Sequence, residues 1–315
     1  MEQMLAITGG AGFIGSNLAQ LLAQNNQVVI IDDLSTGKPE NLAGINATLI
    51  EGSILDLDLL QSAFQGVKCV FHQAAIASVQ KSVQDPIGTS RVGIDGTLNV
   101  LVAARDAGVK KVVYASSAAV YGDSPQLPKK EDMCPQPQSP YAVSKIAGEH
   151  FCRNFQELYG LETVALRYFN VFGPGQDPTS EYSGVISKFI SAMANGLQPT
   201  IYGDGEQTRD FVYVKDVVRA NILASQSGRG VYNIASGRRT SLNKMLAIIG
   251  EIFGRDPWPK YERARSGDIR DSLADISHAL EIGFLPEYSL ESGLEETIRW
   301  FLDGRVMAEK REESL

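Results

Sequence analysis

Cysteine, histidine and long apolar runs are all scarce in this chain of 315 residues. Its three cysteines, Cys69, Cys134 and Cys152, are odd in number and lack Cys-x-x-Cys spacing. That pattern argues against a disulfide framework and a zinc motif and predicts reduced thiols. The three histidines, His72, His150 and His278, stand too far apart for a local metal motif, so structural roles and no metal are expected. No apolar run approaches the roughly 20 residues of a membrane span, and the first residues lead into an apolar strand without a basic, cleavable leader. A cytoplasmic location is the expectation. Cations are also in deficit: 29 Lys and Arg against 37 Asp and Glu leave a net charge of −8. Nucleic acid and anionic membranes both require clustered Lys and Arg, so neither is an expected partner. An anionic small substrate would need arginines of its own.

What is present is ordinary for a globular enzyme, with 43% hydrophobic and 21% charged residues. This length can bury one large core or two unequal ones, and an α/β unit with an appended lobe is the natural expectation.

The apolar run Met4-Leu5-Ala6-Ile7 stops at Thr8-Gly9-Gly10-Ala11-Gly12-Phe13-Ile14-Gly15, after which Leu18, Leu21 and Leu22 recur at helical spacing. Strand, glycine turn and helix in that order form a cradle for a pyrophosphate, whose charge meets the helix start. The glycines fit Gly9-x-x-Gly12-x-x-Gly15 and Gly10-x-Gly12-x-x-Gly15 equally well. A second buried strand, Gln27 to Ile31, ends at Asp32, where an acid receives the adenosine ribose. A carboxylate accepts from a 2′-hydroxyl and repels a 2′-phosphate, which favours NAD over NADP.

Alternation continues through Ala47–Ile50, a helix near Asp56–Phe64, Cys69–Phe71, a helix around Thr97–Ala107 and the strand Lys111–Ala115. It predicts a parallel sheet with right-handed crossovers and ligands at the carboxyl ends of its strands. Gly52-Ser53-Ile54, Gln73-Ala74-Ala75, Ser116-Ser117 and Tyr168-Phe169-Asn170 should therefore line one crevice. In Ser139-Pro140-Tyr141-Ala142-Val143-Ser144-Lys145, Pro140 is placed to open a helix that raises Tyr141 and Lys145 on one face. A cation held there would draw the phenol from about 10 towards neutrality, ready to exchange a proton.

Taken together, these segments resemble the NAD-dependent nucleotide-sugar epimerase/dehydratase family, an extended branch of the short-chain dehydrogenase/reductases. The resemblance rests on Thr8 to Gly15, Asp32, His72 to Ala75, Ser116 to Gly122, Tyr141 to Lys145, Arg167 to Pro174 and Gly203-Asp204-Gly205 leading to Arg209-Asp210-Phe211. It implies a Rossmann-like doubly wound parallel α/β sheet with a smaller C-terminal substrate-binding lobe. Residues 1–175, with returning segments near 212–240, would bind NAD; residues 176–315 would form an interleaved UDP-sugar lobe.

The resemblance also implies roles. Ser117 would bond the sugar O4, Tyr141 would be the acid/base, and Lys145 would acidify it and hold the nicotinamide ribose. Cofactor contacts would come from Gly9, Gly12, Phe13, Ile14, Gly15, Asp32, Ser53, Ile54, Ala74, Ala75, Tyr141, Lys145 and Phe169. Ser78, Ser117, Asn170, Val185, Tyr202, Arg209, Arg265, Asp268 and Ser272 would face the substrate. Arg209 and Arg265 can each fork onto phosphate oxygens. A homodimer through a four-helix bundle of Thr97–Ala107 and Tyr141–Tyr159 is implied as well. One position departs: the family's Asn three residues before Gly96-Thr97 is Gly93 here.

Within that family, dehydratases carry an Asp-Glu pair after the hydroxyl residue and decarboxylases a Glu, whereas Ser117 is followed by Ala118 and Ala119. Reversible hydride transfer at C4, inverting a UDP-hexose through a 4-keto sugar, is the chemistry that remains. The small Ser272 resembles the position that walls the hexose pocket, which would leave room for a 2-acetamido group. UDP-N-acetylglucosamine and UDP-N-acetylgalactosamine are thus expected alongside UDP-glucose and UDP-galactose. A UDP-glucuronate 4-epimerase, or another NAD-dependent sugar-nucleotide modifier, is the alternative. A dinucleotide-sensing binding protein is the non-enzymatic one.

Overall fold

Residues 2–177, 184–264 and 269–312 are described by the computed structural model of the chain. Its strands are β1 (Met4–Thr8), β2 (Gln27–Asp32), β3 (Ala47–Glu51), β4 (Cys69–His72), β5 (Lys111–Ser117), β6 (Glu162–Tyr168), β7 (Asn170–Phe172), β8 (Thr200–Tyr202), β9 (Thr208–Tyr213), β10 (Gly230–Ile234), β11 (Arg239–Ser241) and β12 (Lys260–Glu262). The helices are α1 (Phe13–Leu22), α2 (Leu57–Ala63), α3 (Val79–Gln84), α4 (Pro86–Ser90), α5 (Thr97–Asp106), α6 (Pro140–Tyr159), α7 (Val185–Ala194), α8 (Val214–Ser227), α9 (Leu242–Phe253) and α10 (Leu290–Glu312).

Seven strands form the main sheet in the order β10-β6-β5-β4-β1-β2-β3. Every neighbouring pair in it is parallel, so this is the expected Rossmann-like α/β fold. The strand order reverses between β1 and β4, and the ligand crevice of such sheets opens at that point. Strands buried on both faces need continuous apolar sequence, which β1 and β4 supply. Leu18 and Leu22 of α1 pack with Val217 and Ala220 of α8 on one face. Leu60 of α2, Val100 and Ala104 of α5, and Cys152 and Phe155 of α6 fill the other.

A third cluster joins Ile186, Phe189 and Ile190 of α7 to Met245 and Ile249 of α9 and Leu294 of α10. It surrounds the small sheet β11-β9-β7 and defines a second, smaller body. The crossings back to the main sheet are made by α8 and β10, the latter pairing with β6 from Gly230↔Val164 to Ile234↔Tyr168. Among the described residues, no helix is long and apolar enough to cross a membrane. All three cysteines are free, with Cys69 and Cys152 buried and Cys134 exposed. Burial pushes the Cys69 thiol up to about 12.

Candidate active site

The glycine turn between β1 and α1 settles which of the two spacings operates. Gly9 has φ +70, and a Cβ there would stand 2.6 Å from the Ala74 backbone nitrogen. A Cβ on Gly15 would stand 2.1 Å from the Gly9 carbonyl oxygen, so helix and turn touch backbone to backbone. Gly10 instead abuts the Ile30 side chain, a packing contact. The operative pattern is Gly9-x-x-Gly12-x-x-Gly15.

Above this turn lies a crevice of about 920 Å³. Most of the residues expected to meet the cofactor line it: Gly9, Gly12, Phe13, Ile14, Gly15, Asp32, Ile54, Ala74, Ala75, Tyr141 and Lys145. Each of the four strand ends named from the sequence contributes, through Gly52 and Ile54, Gln73 to Ala75, Ser116, and Tyr168. Ser78 also lines it and caps α3 by accepting from the Lys81 backbone N–H at 3.1 Å. Asp32 is buried, with its carboxylate accepting from the backbone N–H groups of Ala11 at 2.8 Å and Leu34 at 3.0 Å. Desolvation raises its pKa above the ordinary carboxylate value while the Ala11 and Leu34 bonds oppose the rise. The glycine cradle, the helix start and this carboxylate fit a dinucleotide.

Other expected residues lie elsewhere. The Phe169 ring turns away into a buried cluster with Val120, Tyr121, Ala235 and Ala274, and its neighbour Tyr168 lines the crevice instead. Ser53 is flanked by two lining residues without being one, and Val185 follows Gly184, which is one. Tyr202, Arg209 and Ser272 gather in the second body. There Ser272 donates its backbone N–H to Thr208 at 3.1 Å, beside Arg209 on β9. Arg209 Nη1 donates to the Thr208 carbonyl at 2.9 Å. Tyr202 at the end of β8 accepts, through its carbonyl, from Gln207 Nε2 at 2.6 Å. Asn170 is exposed at the start of β7, in register with Phe211 on β9. Arg265 and Asp268 lie outside the described residues.

At the reacting end, α6 begins as expected. Ser139 caps it by accepting from the Ala142 N–H at 3.2 Å, and Pro140 occupies its first turn. Tyr141 and Lys145 rise on one face, and the Ser117 hydroxyl lies near enough to the Tyr141 phenol to act on its pKa. The Lys145 ammonium stands 5.7 Å from the Tyr141 ring centroid and donates to the Ala115 carbonyl at 2.7 Å.

This arrangement corrects one expectation. The chain alone does not lower the phenol: desolvation pushes Tyr141 above its ordinary value, and the nearby Ser117 hydroxyl only partly opposes it. Lys145 itself is pushed down to about 8 by desolvation, with Glu149 acting in the other direction.

Several functional contacts were not read from the sequence. Gln73, Tyr168 and Asn221 form a hydrogen-bonded trio, with the Tyr168 hydroxyl 2.9 Å from Asn221 Oδ1. Their signal is weak because they come from three distant segments. His72 is buried between Thr8 Oγ1, 2.7 Å from Nδ1, and Thr97 Oγ1, 3.0 Å from Nε2. Glu149 carried the clearest overlooked signal, since it continues the four-residue spacing of Tyr141 and Lys145. Gly93 sits in a π-helical turn, Arg91–Gly96, where a Cβ would stand 2.6 Å from Ser144 Oγ. A larger residue there would press on α6.

Known proteins are similar to this chain in sequence and fold. A family model described as the NAD dependent epimerase/dehydratase family matches residues 5–235. A UDP-N-acetylglucosamine 4-epimerase from Methanobrevibacter ruminantium, solved with UDP-N-acetylmuramic acid, is 46% identical with a TM-score of 0.94, covering 96% of this chain and 99% of its own. A UDP-glucose 4-epimerase from Thermotoga maritima, solved with UDP-glucose, is 41% identical with a TM-score of 0.93 and the same coverages, 96% and 99%. The UDP-glucose 4-epimerase of Thermus thermophilus, solved with NAD, is 37% identical with a TM-score of 0.88, covering 95% of this chain and 99% of its own.

Proposed function

The chain belongs to the NAD dependent epimerase/dehydratase family, and we propose that within it the protein is an isomerase that inverts C4 of UDP-hexoses. NAD is its cofactor, held by the glycine turn and Asp32. The single observation that carries the reading is the Ser117–Tyr141–Lys145 constellation at the strand-end crevice, with alanine rather than acid at positions 118 and 119. The 4-epimerases with 41% and 46% identity support the UDP-sugar.

When bound, NAD supplies the hydride acceptor at C4 and the positive ring whose charge the phenol lacks in this chain alone. Tyr141 takes the proton from the sugar 4-hydroxyl, with the Ser117 hydroxyl bonded to the same oxygen. Lys145 orients the site through Ala115 and adds positive charge. Arg209 and Arg265 grip the diphosphate with Asn170, Asp268 takes a ribose hydroxyl of the nucleotide, and Tyr202 lies against the substrate. The hexose is left free to turn over, so that C4 would regain its hydride on the opposite face while Tyr141 returns the proton to O4. Binding energy thus falls on the part of the substrate that does not react.

Ser272, small and tied to β9 beside Arg209, leaves space for a 2-acetamido group, so N-acetylated UDP-hexoses are accepted alongside UDP-glucose and UDP-galactose. In the same reading, residues 1–175 with 212–240 carry the cofactor and 176–315 the UDP-sugar. Two copies pair through α5 and α6 in the cytoplasm, where Cys134 stays reduced. Exposed Val143 and Leu158 on α6 supply apolar surface for that pairing.

Incubating the purified protein with UDP-glucose or UDP-N-acetylglucosamine without added NAD tests the reading. Both should interconvert with their C4 epimers, as read by nuclear magnetic resonance. Absence of turnover on either sugar, or full turnover by Tyr141→Phe, would refute it.

A further inference from the structure

Three residues on one face of α6, spaced four apart, meet three consecutive residues of β5. Tyr141 lies near Ser117, Lys145 Nζ bonds the Ala115 carbonyl at 2.7 Å, and Glu149 Oε1 accepts from Ser116 Oγ at 2.5 Å. Two of these rungs carry reacting groups. The third has no role in the chemistry described above, yet all three of its members are more than nine-tenths buried: Ser116 at 2% exposure, Glu149 at 7% and Arg167 at 3%.

Arg167 is the register partner of Ser116 on the adjacent strand β6. Its guanidinium forks onto Glu149, with Nε 2.9 Å from Oε1 and Nη2 2.7 Å from Oε2. Nη1 donates to the Glu131 carbonyl at 3.2 Å, and the guanidinium lies 4.8 Å from the Tyr121 ring centroid. Such a bidentate pair fixes its carboxylate in angle as well as in distance.

Resting on the reading of Ser117, Tyr141 and Lys145 as the reacting groups, we propose that Glu149 is a positioning residue for all three. Locked by Arg167, its carboxylate sets Ser116, and through the backbone the adjoining Ser117 hydroxyl, against Tyr141. One helical turn from Lys145, it also opposes loss of the lysine proton. The groups facing Lys145 are Tyr141 and Glu149 from α6, the Tyr114 ring 5.2 Å away on β5, and His72 on β4. Among the described residues, Glu149 is the carboxylate that acts on that lysine.

Glu149→Gln keeps the shape and removes the charge. In the NAD-loaded protein, lysine side-chain resonances assigned with Lys145→Met give the Lys145 titration midpoint without any sugar. The midpoint and the alkaline limb of kcat should both move about one pH unit towards acid. Ser116→Ala keeps the Arg167–Glu149 pair and should lower kcat about tenfold at unchanged KM, leaving the Lys145 midpoint in place. An unmoved midpoint in Glu149→Gln overturns the proposal. Should that variant not fold, full kcat in Ser116→Ala overturns it. A wild-type protein that epimerises no UDP-hexose refutes the reaction reading instead, while the lysine titration still tests the role of Glu149.

Discussion

Lys145 donates its ammonium to the Ala115 carbonyl at 2.7 Å, two residues before Ser117, and so ties α6 to β5 beside the crevice. Burying the ammonium costs stability, because desolvation has pushed the lysine down to about 8 from 10.5. A lysine with a depressed folded value destabilises the fold below that value, and the penalty fades as pH rises from about 8 towards 10.5. At pH 7 it amounts to about 3 kcal/mol. Lys145→Met should abolish turnover while raising the apo protein's thermal midpoint at neutral pH. Calorimetry beside an activity assay checks both.

His72 is expected to make the protein acid-sensitive. Burial between Thr8 and Thr97, assisted by the Lys145 charge, pushes it down to about 3 from 6.5. The unfolded chain binds a proton below pH 6.5 that the folded chain refuses, so stability is full above that pH and is lost as pH falls. His72→Gln keeps hydrogen-bonding groups without titrating. The wild-type advantage over it should shrink by about 2 kcal/mol between pH 7 and pH 5, as read by urea unfolding. Comparing the two proteins cancels Asp210 and Asp216, whose burial raises each to about 6 and acts in the opposite sense.

Gly15→Ala would place a Cβ 2.1 Å from the Gly9 carbonyl oxygen, which is backbone and cannot swing aside. The α1 start must retreat from the turn that would cradle the pyrophosphate. NAD binding should weaken at least about tenfold, as measured by equilibrium dialysis, and the thermal midpoint should fall.

Ser272→Tyr tests the sugar pocket. Because the Ser272 N–H is pinned to Thr208, a bulky side chain cannot be relieved by moving the strand. Turnover of UDP-N-acetylglucosamine should be lost and that of UDP-glucose spared. Equal loss on both sugars would show that this position does not wall the hexose.

The crevice was legible because its parts are local. Glycines within seven residues, Asp32 at a strand end, and Tyr141 with Lys145 on one helix face each declare themselves in short segments. Parallel order followed from the alternation of strand and helix, since a crossover leaves few topologies open. Strand alternation cannot say which of two adjacent aromatics lines the crevice: Tyr168 does, and the Phe169 ring packs with Val120 and Tyr121.

By itself, then, the sequence determined the Rossmann-like sheet, the glycine turn and the placing of Tyr141 and Lys145 on one helix face, all set by short-range periodicity and spacing. Only the tertiary structure decided their electrical state. It buried Lys145, desolvated Tyr141 and turned the ammonium onto Ala115. It also brought Arg167 from β6 against Glu149 on α6. Desolvation and ion pairing depend on which distant segments exclude water from a group, and spacing along the chain does not carry that information.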